Sequence, residues 1–64
     1  MSAKALPTII YQDSEWYFNE RLMEIRDINE PTRYIRFDEF EIEYIKKNLA
    51  AVSDGVKLDF TNVL

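Results

Sequence analysis

The chain contains neither cysteine nor histidine, so whatever it folds into must hold without a disulfide or a Cys/His metal site. No disulfide, thiol nucleophile, imidazole acid/base pair, iron–sulfur cluster or typical zinc site is open to it. At 64 residues it is a single domain, close to the lower size at which an unstapled core holds. Ordering a chain costs on the order of 1.5 kcal/mol per residue, and apolar burial offsets about that much, so the net stability is small. Hydrophobic residues make up 47% of the sequence, too many for a disordered segment. Either packing is very good or a second copy supplies further burial, and a homodimer is expected on that ground.

Twelve acids against eight bases leave a net charge of −4, which argues against a general nucleic-acid binder, since that needs a cationic footprint. The single glycine, Gly55, excludes the Gly-rich phosphate cradles, whose turns need several. No cofactor is expected. Absence of cysteine suits the cytoplasm. Met1–Ala5 leads into only a short apolar stretch, unlike a signal peptide, and no apolar run approaches the roughly 20 residues that span a bilayer. The sequence therefore predicts a cytoplasmic protein without a membrane partner.

Residues 1–7 are unpatterned and read as an N-terminal arm ahead of one domain over 8–64. Pro7 sets the entry into Thr8–Gln12, a β-branched and aromatic run of strand length. Asp13-Ser14 reads as a turn and Glu15–Phe18 as the return strand, so a hairpin is predicted over 8–18. Residues 19–28 read two ways. As a helix over 20–28 they have Asn19 as cap, good helix formers, and Asn29 and Pro31 to end them. As a third strand they mix apolar and charged groups on both faces, so the helix fits the local pattern better. Asn29–Thr32 is a loop and Arg33–Phe37 a strand. Asp38 and Glu41 have capping-box spacing, and a main helix follows over about 38–52, acids in its first turns and Lys46 and Lys47 further on. Ser53-Asp54-Gly55 stops it, and Val56–Phe60 alternates as a last strand with one buried face. The fold class is α+β, a small antiparallel sheet packed on one main helix, with a core of Trp16, Phe18, Ile35, Phe37, Val56, Leu58 and Phe60.

The helix holds the clearest interaction signal. At about 100° per residue, Ile42, Ile45, Leu49 and Val52 form one apolar stripe, while Phe40, Tyr44 and Ala51 form another on nearly the opposite side. A helix lying on one sheet has no internal use for two. Phe40 and Tyr44 are therefore candidate anchors for a protein partner, with Glu39, Glu43 and Lys47 as a polar rim. The opposing reading folds Phe40 over the sheet edge and leaves Tyr44 merely amphipathic. The acids of Asp38–Glu43 account for the net charge, either as compensation of the helix dipole or as a docking surface for a basic partner.

Two other classes compete. Tyr17, Tyr34 and Arg36 fall on the strand face opposite the core residues, where they would stack bases of a single-stranded nucleic acid. Alternatively, the acidic helix would act as a nucleic-acid mimic. Catalysis is not expected, because the carboxylates lack an enclosed site and no histidine activates the three serines. The sequence thus reads as a small acidic, non-catalytic protein-interaction module that self-associates.

Overall fold

The computed structural model of the chain describes residues 6–52 and 57–64. Six elements follow one another: β1 (Thr8–Tyr11), β2 (Ser14–Asn19), β3 (Glu24–Asp27), β4 (Tyr34–Arg36), α1 (Glu39–Ala50) and β5 (Leu58–Asp59). The strands form one sheet in the order β4-β3-β2-β1-β5. The first four make an antiparallel meander. After α1 the chain returns to the opposite edge, where β5 pairs with β1 in parallel. This is the predicted α+β class, its sheet antiparallel throughout except for that last edge. Among the described residues no helix is long and apolar enough to cross a membrane.

Registration of the hairpin is set by Trp16. Ile9 faces Trp16 and Tyr11 faces Ser14, so the turn is Gln12–Asp13 rather than the expected Asp13-Ser14. Both turn residues have positive φ, 51° and 62°, as a two-residue hairpin with the right-handed strand twist requires. This register lets the indole Nε1–H donate to the Tyr11 carbonyl at 2.7 Å, so the one polar atom of a fully buried Trp is satisfied.

The helix expected over 20–28 does not form. Asn19 Oδ1 accepts from the Leu22 N–H at 3.1 Å, the Met23 N–H reaches the Glu20 carbonyl, and Met23 sits at φ 56°, where a right-handed helix cannot pass. Residues 24–27 are instead β3, with Ile25 fully buried between Phe18 and Ile35. Local helix propensity is worth a few tenths of a kcal/mol per residue, whereas burying one isoleucine is worth about 2 kcal/mol and two strand ladders add to it. The mixed faces that argued against a strand have a physical answer. Asp27, on the core face, accepts from the backbone N–H groups of Asn29 and Glu30 and from Arg33 Nη1, and thereby builds the 28–33 loop. Glu24, on the other face, accepts from Arg26.

The core gathers Ile9, Tyr11, Trp16, Phe18, Ile25, Phe37, Ile42, Ile45 and Phe60, with Ile35, Leu49 and Leu58 packed at its margin. The sequence reading missed Ile9, Tyr11 and Ile25. Val56, the Ser53-Asp54-Gly55 stop and residues 1–5 of the expected arm lie outside the described residues. Trp16→Ala should cost about 3–5 kcal/mol. That is comparable to the total stability of a domain this small, so the variant should lack native circular dichroism at 25 °C. Asp13→Gly relieves a left-handed non-glycine residue and should raise stability by about 1 kcal/mol, or roughly 4–8 °C in a thermal melt.

Candidate interaction surface

Helix α1 begins where the sequence says it should. Asp38 Oδ1 accepts from the Glu41 N–H at 2.9 Å and Glu41 Oε1 accepts from the Asp38 N–H at 3.0 Å, a complete capping box. The cap fixes the rotation of the helix from its first turn. Ile42 and Ile45 are then buried in the core, Phe40 points out to water, and Tyr44 lies between the two at the margin of the core. Phe40 is 86% exposed, and Tyr44 is 43% exposed. The Tyr44 ring stands edge-on to Phe60, centroids 6.0 Å apart, so its inner edge is supported while its outer edge stays in water. Phe40 is not folded over the sheet edge.

Glu39, Glu43 and Lys47 are also exposed. Phe40, Glu43, Tyr44 and Lys47 share one side of α1, whereas Glu39 borders a smaller depression beside Glu20 and Met23. An open depression of about 570 Å³ runs along the shared side, lined by Phe40, Glu43, Tyr44, Lys46, Lys47 and Ala50. Lys46 sits at its edge, holding Glu20 at 2.9 Å and Glu43 at 3.1 Å. Those two carboxylates raise the Lys46 pKa above its ordinary value and tie α1 to the 20–23 turn. A further depression, about 640 Å³, lies at the sheet end between Leu6, Phe18 and Leu22.

The alternative sheet face is also assembled. Tyr17, Arg26 and Tyr34 form one cross-strand row, and Glu24 and Arg36 form the next. All lie opposite the core face. Arg26 was not singled out from sequence, because its place between the two tyrosines exists only once β3 is a strand. Its guanidinium lies 4.8 Å from the Tyr34 ring centroid, bonds Glu24 Oε2 and donates to the Pro31 carbonyl at 2.6 Å. It is fully engaged within the chain. Elsewhere on this face Glu15 holds Lys57 at 2.7 Å, and Asp59 accepts from the Thr61 N–H at 2.8 Å. Glu15, Glu24 and Asp59 thus balance Arg26, Arg36 and Lys57, so the face has no cationic excess for a phosphate backbone.

No protein-family model, curated protein or solved structure matches the chain.

The carboxylates Glu15 and Asp59 of this sheet face carry a pH dependence. The bond to Lys57, helped by the Thr8 hydroxyl, lowers the Glu15 pKa, and the Thr61 bonds lower that of Asp59. Each group therefore binds its proton more weakly folded than unfolded. Its stabilising contribution is complete above its ordinary value, 4.5 for Glu15 and 3.8 for Asp59, and is lost as pH falls through the lowered one. Lys46 has the opposite sign, contributing fully below 10.5 and losing its contribution as pH rises through its raised value. The urea midpoint should fall between about pH 6 and about pH 3, and fall less in the double variant Glu15→Gln/Asp59→Asn.

Proposed function

We propose that this protein is a small, non-catalytic protein-interaction module that binds through the outer face of α1. The observation that carries the reading is Phe40, a phenylalanine 86% exposed on a capped, well-anchored helix, one turn from a half-exposed tyrosine. In a fold this small, every apolar side chain withheld from the core costs stability that is scarce. Covering Phe40 recovers about 1.5–3 kcal/mol of transfer free energy. Aromatics at the centre of a polar-rimmed patch are the residues that dominate protein–protein binding. Glu39, Glu43 and Lys47 supply the rim, which orients the partner and speeds encounter more than it adds affinity.

The neutral sheet face supports this reading over a single-stranded nucleic-acid platform on Tyr17, Tyr34 and Arg36. The acidic helix likewise supports it over a nucleic-acid mimic: Asp38 and Glu41 close the cap and Glu43 is neutralised by Lys46, so no dense row of carboxylates remains. Lack of histidine and cysteine supports the absence of catalysis, and lack of cysteine supports a cytoplasmic place of work.

A photo-reactive side chain placed at Phe40 and activated in the native cell tests the reading. A protein adduct is expected, while an adduct to nucleic acid, or none, would sink it. In vitro, Phe40→Ala/Tyr44→Ala should leave the far-ultraviolet spectrum native. The Phe40→Ala part should change stability by less than about 0.5 kcal/mol, as for any surface substitution. Association through α1 should be lost with it. A double variant that unfolds, or that associates as well as the parent, would count against the proposal.

A further inference from the structure

The outer side of α1 leaves a particular pair of charges unanswered. Asp38 and Glu41 close the capping box, and Lys46 is held by Glu20 and Glu43. Among the described residues this leaves Glu39 and Lys47 as the helical charges without a hydrogen-bond or ionic partner. They lie about 12 Å apart along the axis, too far to meet within one helix. A parallel copy would set Glu39 against Glu39. An antiparallel copy reverses the order, so that Glu39 of each chain meets Lys47 of the other, twice, across a two-fold axis.

The apolar groups fit the same arrangement. Under that axis Phe40 of one chain falls against the methylene stems of Lys46 and Lys47 of the second copy. Tyr44 lies beside the axis and meets its own counterpart. The helix dipoles oppose, which also favours the antiparallel order. We infer that the surface over Phe40, Tyr44 and Lys47 is covered by the same surface of a second copy of this chain, the two helices running antiparallel about a two-fold axis beside Tyr44. This rests on the reading of α1 as a protein-binding face and adds its occupant and orientation. A 12-residue helix is about 18 Å long, which puts the contact at the low end of stable interfaces and makes the dimer concentration-dependent.

Light scattering across the micromolar to millimolar range tests it, on the full chain, on Lys47→Glu, on Glu39→Lys, and on their equimolar mixture. The parent should pass from monomer to dimer. Each single charge reversal enters the interface twice and should weaken the homodimer roughly tenfold. Mixing the two variants should restore dimers, because each supplies the charge that the other now needs. Circular dichroism checks that both variants fold, and both keep Phe40 and Tyr44. A parent that stays monomeric at every concentration, or a dimer indifferent to both reversals, overturns the inference. The photo-adduct at Phe40 separates the two levels of the argument. An adduct of twice 7.7 kDa supports the second copy. A protein adduct of other mass removes the second copy but keeps the protein-binding face, and absence of any protein adduct removes both.

Discussion

The indole of Trp16 lies in the middle strand of the sheet, with no exposed surface, and most of the molecule is arranged around it. Across one ladder it faces Ile9 and across the other Asp27. Its N–H is bonded to the Tyr11 carbonyl, which fixes the hairpin register, and the Arg33 guanidinium caps its ring at 4.7 Å. That cation is in turn held by Asp27 at 3.2 Å, and Asp27 also organises the loop leading to β4. One large side chain thereby couples β1, β2, β3 and the 28–33 loop. In a chain without cysteine or histidine, such coupling is what makes a small core cooperative.

The charges divide by role along the same lines. Two carboxylates, Glu24 and Asp27, are buried, and each is paired with an arginine two or six residues further along the chain. A buried carboxylate left alone would cost several kcal/mol, so these pairs are conditions for the strand rather than ornaments on it. Surface pairs such as Lys46 with Glu20 contribute little energy but fix which side of α1 meets the 20–23 turn. On α1 itself Glu39 and Lys47 are the charges without such a partner among the described residues, and they share the helix with the exposed ring of Phe40.

How much of this was legible depends on how local each signal is. The capping box and the two stripes of α1 involve residues within a few positions of each other, and the helix starts at the expected cap, Asp38, and spans Glu39–Ala50, a little short of the expected end at 52. The exposure of Phe40 and Tyr44 follows from that one element. The hairpin was legible as an element but not in its turn, because the choice between Gln12–Asp13 and Asp13-Ser14 is made by where Trp16 packs. Residues 24–27 were misread because the partners of Ile25, Phe18 and Ile35, are decided by sheet assembly. Arg26 was missed for the same reason.

The sequence by itself determined the class of the fold, the capped helix with its two faces, and the exclusion of thiol, imidazole and phosphate-cradle chemistry. Those rest on composition and on spacing within one turn, where the interacting groups are neighbours in the chain. Only the tertiary structure decided that β3 is a strand, that β5 joins β1 in parallel, and that the aromatic sheet face carries matched rather than excess charge. Pairing across a sheet brings together residues far apart in sequence. Which of them meet is settled by the burial of a core that no single segment contains.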